Sequence, residues 1–154
     1  MSIIRADISQ LETVKTITTT TIKNIYPHYY PKGAVDFFLS HHNDDNISID
    51  LEAGIVFLKR TSNQEAAATI TIRENEICRL FVLPQYQKQG FGRELLDFAE
   101  KIIFEHHDRI ILDASLPAKA IYRKRGYTEI ETHSIQTESG DFLCYDVMQK
   151  KLSI

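Results

Sequence analysis

The stretch Gln87-Lys88-Gln89-Gly90-Phe91-Gly92 lies between a β-rich run ending in Leu80-Phe81-Val82-Leu83-Pro84 and an amphipathic segment that begins at Arg93. Leu95, Leu96, Ala99, Ile102 and Ile103 share one stripe at helical spacing, so the order is strand, glycine-bearing turn, helix. The first-turn N–H groups of a helix have no partner within it, and the macrodipole places about half a positive charge there. Gly90 and Gly92 let the backbone curl close to a ligand, while Lys88 and Arg93 add mobile positive charge. The residues predict a cradle for a diphosphate-like anion.

Two familiar cradles do not fit. A dinucleotide fingerprint needs a third glycine where Leu95 stands, and a P-loop needs Gly-Lys-Ser/Thr where the chain has Gly92-Arg93-Glu94. What remains, Gln-x-x-Gly-x-Gly after Leu-Phe-Val-Leu-Pro, resembles the acetyl-CoA signature of the GNAT N-acetyltransferase superfamily.

Working outward, the 154 residues amount to one domain, 1–154, and a 43% hydrophobic content can fill its core without a metal or disulfides. Lys and Arg total 18 against 21 Asp and Glu, with neither sign in a block, so nothing points to nucleic acid. No run approaches the roughly 20 apolar residues of a membrane span, and the N-terminus lacks the pattern of a secretory leader, which predicts a soluble cytoplasmic protein. Cys78 and Cys144 sit in strand-like runs and read as small buried hydrophobes. His41-His42 ahead of Asp44-Asp45 reads as a polar loop without helical metal-ligand spacing, so no metal is expected.

Ser2 to Arg5 reads as a short strand, followed by a helix capped by Ser9 with Glu12. Tyr26 to Pro31 interrupts that helix, and a second starts near Lys32 with Val35, Phe38 and Leu39 inward. Asn43 to Asn46 reads as a loop. Ile55 to Lys59, Ala66 to Ile72 and Glu76 to Leu83 form an antiparallel meander. After the helix beyond Gly92, which carries an Asp97–Lys101 surface pair, come a strand Arg109 to Ala114, a short helix Ala118 to Lys124, and strands Tyr127 to His133 and Phe142 to Gln149. The fold class is α/β (α+β): a mixed, mostly antiparallel sheet flanked by helices. The GNAT resemblance implies that this sheet is twisted and splayed where the cofactor inserts.

A second element supports the resemblance. Ser115-Leu116-Pro117-Ala118-Lys119-Ala120-Ile121-Tyr122-Arg123-Lys124-Arg125-Gly126-Tyr127 is similar to the GNAT pattern Asn-x-x-Ala-x-x-Leu/Phe-Tyr-x-x-x-Gly-Phe, with Ala118, Tyr122 and Gly126 matching. Ser115 replaces the usual asparagine but keeps a hydroxyl that can bond a pantetheine amide.

The resemblance implies acetyl-CoA as acyl donor and direct transfer to a primary amine of a small molecule or peptide, with no metal; a non-catalytic acyl-CoA-binding or partner-binding module is the alternative. It implies that Gln87, Lys88, Gln89, Gly90, Phe91, Gly92 and Arg93 hold the diphosphate, and that backbone groups of Phe81, Val82 and Leu83 align pantetheine. Glu76, at the head of the strand leading to the cradle, takes the place of a catalytic base, and Tyr122 that of an acid toward the departing thiolate. Tyr26, Tyr29 and Tyr30 fall in the region that borders the acceptor in this superfamily, whose members often form homodimers.

Overall fold

Seven strands run in the order β1-β2-β3-β4-β5-β7-β6 in the computed structural model, which describes residues 3–153. The strands are β1 (Ile3–Arg5), β2 (Val56–Arg60), β3 (Ala66–Arg73), β4 (Glu76–Val82), β5 (Arg109–Ala114), β6 (Thr128–Gln136) and β7 (Phe142–Lys151). All neighbouring pairs are antiparallel except β4 and β5. The expected first strand is present from Ile3; Ser2 lies outside the described residues.

Helices α1 (Leu11–Ile25), α2 (Lys32–His41) and α3 (Asp44–Glu52) cover one face, around Val14, Ile17, Ile22, Ile47, Leu51 and Phe81. On the other face α4 (Phe91–Phe104) buries Leu95, Leu96, Ala99 and Ile103 against Ala68, Ile70, Ile110 and Leu112, and α5 (Lys119–Lys124) adds Tyr122. β2 and β3, covered on both faces, are buried almost throughout, which explains their run of apolar and threonine residues in place of strict alternation. Thr21 remains compatible with α1 because its hydroxyl donates to Ile17 O across 2.7 Å.

Several local expectations are corrected. The capping box belongs to Asp7 and Gln10, not Ser9 and Glu12: Asp7 Oδ1 accepts from Ser9 N across 2.9 Å, Gln10 Oε1 accepts from Asp7 N across 3.1 Å, and a 3-10 turn leads into α1. Asn43 to Asn46 is the start of α3, not a loop, since Asn43 Oδ1 accepts from Asn46 N at 2.9 Å and Asp44 and Asp45 suit the positive end of the helix. The cradle helix begins at Phe91, two residues before Arg93. Asp97 pairs with Arg125 Nη2 at 2.8 Å rather than with Lys101, because Gly126 turns the chain so that Arg125 faces α4. Cys144 is exposed and Cys78 half-buried, because neither lies on the inward-facing register of its strand.

At the α5 corner, Gly126 has φ +97° and Tyr127 N donates to Tyr122 O at 3.1 Å, which closes the helix end. Buried Glu100 of α4 accepts from Arg125 Nε (3.0 Å), Lys150 Nζ (2.9 Å) and the Tyr127 hydroxyl (3.0 Å). These partners hold its carboxyl below the usual range although burial acts the other way, and they fix α4 against the α5–β6 corner and β7.

Candidate active site

The parallel ladder between β4 and β5 has two rungs, Glu76 with Ile111 and Ile77 with Leu112, after which the strands part. A bulge helps to open them: Ile72 pairs with Ile77 but Thr71 pairs with Arg79, which leaves Cys78 as the extra residue. A cavity of about 200 Å³ occupies the gap and passes from the α2 face to the α5 face of the sheet. Phe37, Phe38, His41 and His42 line it on the α2 side, Ser115, Ala118 and Tyr122 on the other, with Cys78 to Phe81 and Asp113 between.

The backbone of β4 has a defined polarity in this gap. Leu83 N donates to Ala67 O on β3 at 2.9 Å, and the antiparallel ladder alternates, so Phe81 also faces β3 while Val82 and Leu80 turn their N–H and C=O groups toward the gap. Of the three residues expected to align an extended ligand, only Val82 has its amide there, and Leu80, missed in the sequence, has the other. The Val82 carbonyl accepts from Gln87 Nε2 at 3.0 Å. The Gln87 side chain thus ties the cradle to the strand.

Beyond Val82 the chain passes through a 3-10 turn, Pro84 to Tyr86, into the cradle. Lys88 and Gly90 both have positive φ, +63° and +87°, and Gly90 is the N-cap of α4 with no side chain capping the first-turn amides. Those amides, with exposed Lys88 and Arg93 beside them, fit a diphosphate, and the free β4 edge fits an extended arm leading into the cavity. Gly92 sits inside the first turn, where a Cβ would lie 3.6 Å from Val82, an ordinary contact, so packing against the strand does not itself demand glycine there. Gln89 donates to Gln85 O at 3.3 Å, and Phe91 lies under Lys59 Nζ, 5.5 Å from the ring centre.

Tyr122 is buried at the inner end of the cavity, and burial, with Tyr26 adding, pushes its phenol far above the ordinary value. Such a group stays protonated and acts as a hydrogen-bond donor. Burial also pushes Tyr26 up to about 12, opposed by a hydrogen bond from Ser115. Tyr30 accepts from Leu116 N at 2.7 Å, so these two tyrosines brace the β5–α5 loop. Tyr29 is 52% exposed and does not line the cavity.

Glu76 lies at the last paired rungs, just outside the cavity lining. Its carboxyl is raised by burial and then by Asp113, against the pull of Arg73. Asp113, which does line the cavity, is raised by burial. Cys78 is pushed up to about 11, chiefly by burial, and so holds a neutral thiol.

His42 is a buried wall residue rather than part of a polar loop. Arg79 donates from Nε to its Nδ1 at 3.2 Å and from Nη1 to Thr71 Oγ1 at 2.9 Å, and Arg79 Nη2 lies 3.2 Å from Asp50 Oδ2. Nothing local in the sequence joins these four residues, from the C-cap of α2 and from α3, β3 and β4. Among the described residues no group of three His, Cys, Asp or Glu side chains is placed to hold a metal, and no helix is long and apolar enough to cross a membrane.

The acetyltransferase (GNAT) domain family matches residues 25–149. Among solved structures, a GCN5-related N-acetyltransferase from Rhodopseudomonas palustris superposes with a TM-score of 0.87 at 19% identity, covering 97% of this chain and 94% of that one. PaiA N-acetyltransferase from Thermoplasma acidophilum, solved with coenzyme A, gives 0.75 at 20% identity over 97% and 98%. The ribosomal-protein-S18-alanine N-acetyltransferase of Escherichia coli gives 0.65 at 20% identity over 99% and 94%. No functionally curated protein is similar enough in sequence to match. With the family match spanning most of its length and the fold shared throughout, this chain belongs to the GNAT acetyltransferase family.

Proposed function

We propose that the protein is an acetyl-CoA-dependent N-acetyltransferase that moves the acetyl group directly to a primary amine. The observation that carries this reading is the cavity through the β4–β5 gap, whose lining joins β4 and Tyr122 to Asp113, with Glu76 at the adjoining β4–β5 rung. Bound acetyl-CoA would supply an activated thioester. The uncapped start of α4, with Lys88 and Arg93, would hold its diphosphate.

In the transfer, the amine nitrogen forms a bond to the acyl carbon and the carbon–sulfur bond breaks. An alkylammonium of pKa about 10.4 must first lose a proton, and Glu76 takes it through water at the cavity mouth. The Val82 and Leu80 N–H groups stabilise negative charge on the carbonyl oxygen. The nitrogen's second proton goes to the thiolate sulfur, which Tyr122 steadies by donating a hydrogen bond. The sum is amide, free thiol and one proton released to solvent. Cys78 takes no part, because its thiol remains protonated.

Calorimetric titration with acetyl-CoA, beside free CoA and NADH, followed by thiol release with a panel of amines, tests the reading. Saturable binding of acetyl-CoA but not NADH, with amine-dependent thiol release, is expected. Binding without turnover on any amine would make the chain a binding module, and no binding would remove the cofactor assignment.

A further inference from the structure

Charge compensation around the cavity is uneven. Arg79 is the one cation of the lining, and it is committed to Asp50, Thr71 and His42; Arg73, behind it, lies 2.5 Å from Asp50 Oδ1. Asp113 is the one lining carboxylate; it is exposed at the cavity mouth, has no hydrogen-bond or close ion-pair partner among the described residues, and feels only the longer-range charge of His133 and His41.

Asp113 stands one residue past the last β4–β5 rung, on the opposite face of the strand from Leu112 and Ala114, which pack toward α4 and α5. It therefore faces the α2 side. Its neighbours there are His41 at the end of α2 and His42 at its C-cap, Glu76, Cys78 and Arg79 from β4, and His133 and Tyr145 from β6 and β7. His133 is already paired with Glu131 at 2.8 Å. Glu76 is a second carboxyl close by: burial first, and then the charge of Asp113, raise it.

The rest of this end is aromatic. Phe37 and Phe38 of α2 and Phe81 of β4 form the wall, with Tyr145 on the far side, and the phenyl rings of Phe37 and Phe38 meet edge to face at 6.3 Å. The three phenyl rings accept flat or aliphatic apolar groups and attract a cation, and they supply no donor for an anion.

Resting on the acetyltransferase reading, we propose that Asp113 anchors the ammonium of the acceptor, and that the acceptor is a primary monoamine on an apolar body without a carboxylate of its own. An amino acid would place its carboxylate beside Asp113 and Glu76, with Arg79 already committed. A polyamine would satisfy Asp113 but leave the aromatic walls against charged or hydrated methylene spacers.

The test compares 2-phenylethylamine, L-phenylalanine and spermidine as acceptors for the wild-type chain, Asp113→Asn and Asp113→Glu, with acetyl-CoA binding measured on each. The wild type should prefer 2-phenylethylamine to L-phenylalanine and to spermidine in kcat/KM. Asp113→Asn should raise KM for 2-phenylethylamine about 10- to 100-fold, the range expected for losing a charge-assisted bond, with kcat less affected. Asp113→Glu should recover part of that loss, which a general defect in folding would not do. Preference for L-phenylalanine or spermidine, or an unchanged KM in Asp113→Asn, with acetyl-CoA still bound, would overturn this proposal alone. Failure of the wild type to bind acetyl-CoA would overturn the acetyltransferase reading and this proposal with it.

Discussion

Arg79 donates from Nε to Nδ1 of His42 across 3.2 Å, and this one bond sets the tautomer of a buried imidazole. A guanidinium has donors only, so Nδ1 must hold the lone pair and Nε2 the hydrogen. Burial, then Arg79 and His41, lower His42 to about 3 from 6.5. In the unfolded chain His42 protonates near the ordinary value while in the fold it does not, so the unfolded state binds more protons between the two. His42 therefore contributes stability that is present above pH 6.5 and is lost as pH falls toward about 3. His42→Phe should flatten this part of the stability-against-pH curve, and it should cost about 1–3 kcal/mol at neutral pH because Arg79 Nε–H loses its acceptor. Chemical denaturation from pH 4 to 8 checks both, and nitrogen NMR should show Nε2–H with no titration near 6.5.

Burial keeps Tyr122 protonated, so in the proposed transfer it would act by donating a hydrogen bond more than by outright proton transfer. Tyr122→Phe should lower kcat about 10- to 100-fold, as expected for a bond to a developing charge, and leave the affinity for CoA nearly unchanged. Equal turnover in the variant would take Tyr122 out of the chemistry.

In the proposed transfer Glu76 must be ionised to accept a proton, and burial with Asp113 raises it above 4.5 despite Arg73. The acid limb of kcat/KM should accordingly lie higher than that of an unperturbed glutamate. Glu76→Gln should remove that limb and slow turnover, while Asp113→Asn should move the limb downward by removing the neighbouring negative charge. Rate profiles from pH 5 to 9 distinguish these outcomes.

The central β-turn-α unit was legible because its cues are local: a β-rich run, Gly90 at a position that requires positive φ, then a helical stripe whose residues Leu95, Leu96, Ala99 and Ile103 are indeed buried. The α5 corner was readable for the same reason through Gly126. α3 was not, since its polar first turn looks like a loop, and the features that make it a helix are the Asn43 cap and the packing of Ile47 and Leu51. The candidate site was half legible. Of the motif residues Tyr122 and Ser115 line the cavity and Val82 turns its amide to the gap, but the bulge at Cys78 sets which β4 amides point inward, and Asp113 and the Asp50–Arg79–His42 cluster meet through pairings distant in sequence.

Cys78 lies in the cavity wall, where a nucleophilic thiol would give a covalent acyl-enzyme, yet burial, with Glu76 adding, pushes it up to about 11. At pH 8 almost all of it is thiol. Cys78→Ala should therefore retain most activity, and mass spectrometry after mixing with acetyl-CoA should find no acetyl group on Cys78. A trapped thioester there would replace direct transfer by a two-step route.

Gly33 ties the β6–β7 hairpin to the start of α2. Its N–H donates to Asp141 Oδ2 at 2.9 Å, supplying the cap that Pro31, at the N-cap, cannot give. A Cβ on Gly33 would lie 2.5 Å from Thr137 Oγ1 and 2.6 Å from Asp141 Oδ2, too close for either to stay. Gly33→Ala should push the hairpin from α2 at a cost of about 1–3 kcal/mol, the usual range for overpacking. Ile135, Leu143 and Tyr145 of the same hairpin line the cavity, so the acceptor KM should rise. The α4 cradle lies on the other face of the sheet, so the affinity for acetyl-CoA should hold. Asp141→Ala removes the bond without the clash and should give a smaller loss of stability with the same direction in KM. Thermal melting, calorimetry with acetyl-CoA and acceptor kinetics on both variants separate the effects, and an unchanged KM in both would show that the hairpin does not shape the acceptor end.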